Sequence, residues 1–175
     1  RLGQRDKAEP YMLKALEHDP TDIDILSNYG LLRASRGDLV QAEVLLRRAL
    51  HKAPSFMQAW FNLGMVMRSQ ARLEATERAY LSALEVEGDN PEILLNYGSL
   101  LAEFHRFIEA EQCVRKVLAL KPNYINAHLS LGMLLKDQGR MQESMATLRR
   151  AIEIDPQEPS AHSSLLFVIN CIPDM

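Results

Sequence analysis

The chain has 175 residues, of which 47% are hydrophobic and 6% aromatic, and its 23 acidic and 20 basic residues leave a net charge of −3. That mixed charge forms no basic stripe, and Arg47-Arg48 and Arg149-Arg150 stand among acids and apolar residues, which excludes a nucleic-acid face built on counterion release. Cys113 and Cys171 lie too far apart for a metal spacing or a disulfide framework, and no apolar run of about 18 residues offers a membrane span.

Two combs of one period run along the chain. Pro20, Pro54, Pro122 and Pro156 recur at 34-residue spacing with Gly88 in the slot between, and Gly30, Gly64, Gly98 and Gly132 share the same spacing. Such a period indicates an array of small units, each packing on its neighbours. In chain order, residues 1–22 form a half repeat with a second helix over 5–19, in which Pro10 is expected to cause a bend and remove one hydrogen bond. In the reference unit 23–56, Leu26, Tyr29, Gly30, Leu32 and Arg33 suit a first helix over 23–36 that ends at Gly37, where glycine accepts a left-handed cap. Asp38 then caps a second helix over 39–52, along which Leu39, Ala42, Leu45, Leu46, Ala49 and Leu50 recur at three- and four-residue steps. Pro54 follows where the ladder must stop.

The same pattern predicts hairpins over 57–70/73–87, 91–104/107–121 and 125–138/141–155, in units 57–90, 91–124 and 125–158. A final helix over 159–171 and a tail 173–175 complete an array spanning 1–172. Gly88 is expected to form a left-handed cap before Asn90 restarts a helix with Pro91 in its first turn. Each mid-helix glycine costs about 1 kcal/mol against alanine, a cost met by letting another helix approach closely. Ala8, Ala42 and Ala110 are expected to serve that approach from the second helices, with looser or shifted packing where Thr76, Ser144 and Val117 replace alanine. The chain starts at Arg1, half-way through a unit, and stops after Ile172-Pro173-Asp174-Met175, as a segment of a longer protein would.

This pattern closely resembles the tetratricopeptide repeat family, whose 34-residue unit carries a large residue at position 4, Leu or Tyr at 7, Gly at 8, Ala at 20, a large residue at 24, Ala at 27 and Pro at 32. Residues 57–90 supply Trp60, Leu63, Gly64, Thr76, Tyr80, Ala83 and Gly88 at those places. The resemblance implies an all-α fold, an α–α superhelix (solenoid) of stacked helical hairpins, with first helices on a concave face. It also implies that unit positions 2, 5, 6, 9, 12 and 13 face a groove.

Position 6 holds Asn28, Asn62, Asn96, Ser130 and Ser164. Asparagine both donates and accepts, so a ladder of amides suits the backbone of an extended peptide. It is also a common residue at this solvent-facing place in the repeat. The ladder resembles the groove of the protein O-linked N-acetylglucosamine transferases. Phe61, Met65, Leu95 and Leu129 would add apolar anchors. Positions 2 and 6 carry no basic residue, which argues against capture of an acidic terminal carboxylate.

Catalytic constellations, cofactor motifs and metal motifs are not found. The five histidines form no His-Glu-x-x-His, and the glycines stand singly rather than in a phosphate loop. His128 and His162 share position 4, where packing between helices is a better account than a metal or pH-sensitive pair. At the end, Leu166 replaces the packing glycine and Leu165–Ile169 are all apolar, so another domain or partner is expected to pack on residues 165–169. The stretch His162-Ser163-Ser164-Leu165-Leu166-Phe167 through Asn170 to Pro173-Asp174 is similar to the junction in bacterial repeat-bearing glycosyltransferases of the O-linked N-acetylglucosamine transferase type.

The function read from the sequence is a non-catalytic scaffold binding an extended peptide or protein segment, with no cofactor, nucleic acid or membrane. The alternative is the substrate-recognition arm of a protein O-glycosyltransferase whose catalytic domain follows. Self-association through the exposed ends, where Leu2, Met12 and Leu16 lack cover, is a further possibility. With no signal peptide, the expected compartment is the reducing cytoplasm.

Overall fold

The computed structural model describes the backbone of residues 2–171 and side chains from residue 9 to 171, so the expectations for Leu2, Ala8 and the tail 173–175 lie outside the described residues. Among the described residues there are ten helices and no strand. They are α1 (Leu2–His18), α2 (Ile23–Ser35), α3 (Leu39–Lys52), α4 (Met57–Ser69) and α5 (Leu73–Val86), then α6 (Pro91–Glu103), α7 (Phe107–Leu120), α8 (Ile125–Asp137), α9 (Met141–Ile154) and α10 (Pro159–Asn170). The helices from α2 to α10 begin at the expected residues, and all but α3 end one residue earlier, where the chain turns into its cap. Pro10 lies inside α1. Two compact units divide at a repeat boundary, residues 1–88 and 89–175.

The turn inside each hairpin is stereotyped. Gly37, Ala71, His105 and Gly139 occupy the same slot of four successive units, and all four have positive φ, between 56° and 85°. Glycine takes this conformation without penalty, whereas Ala71 and His105 carry the strain of a Cβ in the left-handed region. Hairpin closure fixes the conformation, and the residue type only sets its cost. After the turn the Asp38 carboxylate accepts from the Gln41 N–H at 3.1 Å, the expected cap.

The stop at Gly88 differs from expectation. Among the described glycines only Gly37 and Gly139 have positive φ. The cap of α5 is instead Glu87, at φ −137°, ψ 86°, and its N–H bonds to the Ala83 carbonyl. Ala53, Lys121 and Asp155 end α3, α7 and α9 in the same extended way. Proline is therefore one sufficient residue at this boundary, and Gly88 follows a cap already formed. The restart is as expected, with the Asn90 side chain accepting from the Glu92 and Ile93 N–H groups at 3.1 and 3.2 Å and Pro91 in the first turn.

Packing turns on the helical glycines. A Cβ on Gly64 would lie 2.4 Å from Tyr80 Cε1, one on Gly132 would lie 2.6 Å from Leu148 Cγ and Cδ2, and one on Gly30 would lie 2.9 Å from Leu46 Cγ. Each glycine is the seat of the large residue from its own second helix, and Leu46, Tyr80 and Leu148 are all fully buried. Burying such a side chain contributes about 1.5–3 kcal/mol. Gly98 is the exception, since its partner is the smaller Val114 and the nearest atom to an added Cβ would be the Ala110 carbonyl oxygen at 3.3 Å. Where serine replaces the small residue of the second helix, Ser144 Oγ donates to the Gly132 carbonyl at 2.6 Å, a bond made possible by that close approach. Thr76 instead donates back along its own helix to the carbonyl of Arg72, the cap of α5, at 3.0 Å.

Within each unit the first helices share one face. In residues 1–88, α2 touches α4, and in residues 89–175, α6 touches α8 and α8 touches α10. Among the described residues no comparable contact joins α3 to α5 or α7 to α9. The first-helix side is thus the closer-packed, inner one in each unit, as the resemblance implies.

Candidate functional site

Of the residues named from the sequence, Asn62, Leu95, Asn96, Leu129 and Ser130 border contacts between successive first helices, and the two units treat them differently. In residues 1–88, Asn28 is exposed on α2 and Met65 is 40% exposed on α4. Asn62 is not available in the same way. It is 2% exposed, its Nδ2 donates to Ser27 Oγ on α2 at 3.1 Å, and its Oδ1 accepts from Gln58 Nε2 at 3.1 Å. Its amide links the two first helices, because the residue opposite is a serine that can accept. Phe61 is 4% exposed and stacks at a tilt against the Tyr80 ring, with centroids 5.9 Å apart. In this conformation it packs in the core instead of lining an open surface.

In residues 89–175 the place equivalent to Ser27 is Leu95, and no helix-to-helix amide bond forms there among the described residues. Asn96 donates Nδ2 to the Glu92 carbonyl of its own helix at 2.9 Å, which leaves its Oδ1 and second amide hydrogen for a ligand. Ser130 is exposed, and Leu95 and Leu129 are half-buried. Two depressions follow one another between α6 and α8. A polar one of about 340 Å³ is bounded by Glu92, Asn96, Ser99, Tyr124, Asn126 and Ser130. An apolar one of about 360 Å³ is bounded by Gly98, Ala102, Val114, Leu129, Met133 and Leu134, among others. Ser99 and Ser130 border both. The first lies between the N-terminal halves of the two helices and the second between their C-terminal halves, so the helices run side by side in one direction.

Several links were not foreseen from the sequence. Trp60 Nε1 donates to the Pro54 carbonyl at 2.7 Å, and the Nε2 atoms of His128 and His162 bond to the Pro122 and Pro156 carbonyls, each at 2.8 Å. The side chain at unit position 4 thus ties each of these first helices to the proline that closes the preceding unit. Since a carbonyl only accepts, Nε2 carries the proton in both histidines, and neutral and charged rings both donate. The signal was a ring N–H donor six residues after a proline, three times over.

A second link joins consecutive repeats through a glutamate on the second helix. Glu43 binds Arg47 at 2.9 Å and Arg72 at 2.8 Å, and Glu111 binds Arg115 and Arg140, each at 2.7 Å. Burial raises the Glu111 carboxyl, but hydrogen bonds from Arg115 and Gln138 and the nearby arginine charges outweigh it and hold the group below its usual range. At the other end of residues 1–88, Glu9 accepts from Tyr29 Oη at 3.0 Å and from Arg33 Nη1 at 3.1 Å and also pairs with Arg36. The hydrogen bond from Arg36, then that from Tyr29, lowers the Glu9 carboxyl. These clusters fasten helices and face no depression described above. Cys113 is half-buried, and burial pushes its thiol up from the ordinary value, as expected of a packing cysteine. Among the described residues no cluster of three metal-ligating side chains forms, and no helix is long and apolar enough to cross a membrane.

Comparison with known proteins agrees with this architecture. Two family profiles described as tetratricopeptide repeat match residues 11–44 and 101–166, together more than half of the chain. No curated protein matches the chain in sequence. Among solved structures, YrrB, a tetratricopeptide repeat protein described as having an unusual peptide-binding site, superposes with a TM-score of 0.74 at 21% identity over 91% of this chain and 82% of its own. TTC0263 of Thermus thermophilus, a thermophilic tetratricopeptide repeat protein, gives 0.77 at 19% identity over 97% and 92%. PilF of Pseudomonas aeruginosa gives 0.77 at 25% identity over 85% and 68%. The fold is all-α, of the α–α superhelix (solenoid) class. From its repeat frame, its hairpins and these matches, the chain belongs to the tetratricopeptide repeat family, whose members serve as protein–protein interaction scaffolds.

Proposed function

We propose that the chain is a non-catalytic scaffold that binds an extended segment of a partner protein along its first helices. The observation that carries this reading is the channel between α6 and α8, where the Asn96 amide and the Ser130 hydroxyl stand open beside half-buried Leu95 and Leu129. Hydrogen-bonding groups of both senses beside apolar side chains suit a peptide backbone with alternating side chains. The likeness in fold to YrrB supports it, given the peptide-binding site described for that protein. Asn28 and Met65 offer a smaller surface of the same kind on α2 and α4. Asn62 and Phe61 would take part only if their present contacts opened.

The test is a peptide titration. For peptides selected from a random ten-residue display library, Asn96→Ala combined with Ser130→Ala should weaken binding about tenfold or more, a loss of about 1.4 kcal/mol. Melting should stay near wild type, since neither side chain ties two helices. Asn62→Ala should instead lower the melting temperature, by removing a buried bond at a cost of about 1–3 kcal/mol. Unchanged affinity in the Asn96/Ser130 double variant would defeat the groove reading.

A second reading gives the same groove to an enzyme, as the substrate-recognition arm of a protein O-glycosyltransferase. It is favoured by the apolar face of α10, where Leu166, Phe167 and Ile169 are 60%, 50% and 44% exposed, a surface on which a further domain could pack. Transfer of a sugar from a sugar nucleotide by the natural full-length protein would support it, and absence of any such turnover would reject it.

A further inference from the structure

The groove between α6 and α8 holds a feature that the other hairpins lack. In three of the four full hairpins a large residue of the second helix, Leu46, Tyr80 or Leu148, fills the space over the glycine of the first. In the third, Val114 does so incompletely, and the apolar depression of about 360 Å³ lies over Gly98 and Val114, walled by Ala102, Leu129, Met133 and Leu134. Resting on the groove reading above, we propose that this depression is a specificity pocket for one leucine-, methionine- or phenylalanine-sized side chain of an extended partner segment, which also carries a basic residue about three or four positions away.

The spacing follows from the helix. Glu92 borders the polar depression, and the pocket is centred near Ser99 and Ala102, some eight residues further along α6. Eight residues of helix span about 12 Å. An extended chain covers that in about three or four residues at about 3.3 Å each. Charge distinguishes the two ends. At the apolar end Asp137 is already neutralised by Lys136 at 2.7 Å. At the polar end Glu92 is exposed and makes no ion pair among the described residues, while Lys121 is held over the Tyr124 ring at 5.8 Å. An uncompensated carboxylate at one end of an amide-lined channel, with an unfilled apolar pocket at the other, selects a segment that is cationic at one position and apolar at the next anchor.

The experiment uses the same ten-residue display library on this chain, followed by fluorescence polarisation of the recovered peptides. The expected consensus contains a large apolar residue and a lysine or arginine at the stated separation. Val114→Leu restores the residue type of Leu46 and Leu148, so it should fill the pocket and raise the melting temperature while weakening these peptides about tenfold or more. Ala102→Leu plugs the pocket from α6 and should weaken them similarly, which keeps the test open if Val114→Leu folds poorly. Glu92→Gln should remove the preference for a basic residue. Full affinity in both plugged variants, with binding lost in the Asn96→Ala/Ser130→Ala variant, would overturn the pocket and leave the groove standing. A consensus without a basic residue would overturn the charge assignment. Failure to recover any peptide that binds the wild-type chain would overturn pocket and groove together.

Discussion

Gly64→Leu should abolish cooperative folding of residues 1–88, with a loss of more than about 3 kcal/mol. A Cβ alone at this position would sit 2.4 and 2.5 Å from two ring atoms of Tyr80, and the rest of a leucine side chain has nowhere to go. Tyr80 is fully buried, so its ring can withdraw only by moving α5 away from α4. That separation would expose both faces of the hairpin, and in a repeat array the loss spreads to the interface with the neighbouring repeat. The measurement is thermal melting followed by helical circular dichroism, with hydrogen exchange of α4 and α5. Wild-type melting would contradict the packing described. Gly98→Ala provides the contrast. Its Cβ would meet its nearest neighbours at 3.3–3.5 Å, and alanine regains about 1 kcal/mol of helix propensity, so the net change should stay within about 1 kcal/mol.

The second large effect is expected from the opposite change. Leu148→Ala removes the side chain that occupies the seat over Gly132, and should cost about 2–5 kcal/mol. Leu148 is fully buried and shares a cluster with Met145 and Val168, the latter on α10. The cavity would therefore open beneath the last helix, where packing is already one-sided because Leu166, Phe167 and Ile169 lie exposed. Amide exchange in α10 should accelerate more than in α6, which contributes no residue to that cluster. A loss smaller than about 1 kcal/mol, or uniform acceleration, would show that the seat over Gly132 is filled by something else.

The two effects mirror each other because glycine and large residue form one complementary pair per hairpin. The sequence comb revealed the glycines, and the seats they make could be foreseen at Leu46, Tyr80 and Leu148. The unfilled seat at Val114 could not be told from a well-packed smaller one without knowing how far α6 and α7 close on each other. Similarly, Asp38, Asn90 and Pro91 acted as expected because caps and turns are set by groups within a few residues. Gly88 did not take the predicted left-handed form, because Glu87 had already ended the helix by the geometry common to the second helices of the four full hairpins. The links from Trp60, His128 and His162 to proline carbonyls are also local, since each ring N–H reaches a carbonyl only six residues back, and so they too are legible from residue type and spacing.

The ladder of position-6 residues separates what each level decides. By sequence alone the chain determines its frame, its ten described helices and the common register of Asn28, Asn62, Asn96 and Ser130 at one place of the repeat, because periodicity and caps are short-range properties. Which of those groups remain open to a ligand depends on partners across the helix–helix contact. Asn62 is consumed by Ser27, 35 positions earlier, whereas Leu95 offers no hydrogen bond to the helix that follows it and Ser130 stays exposed. A hydrogen-bonding group faces solvent or neighbour according to the side chain opposite it, and that pairing exists only once the repeats have stacked.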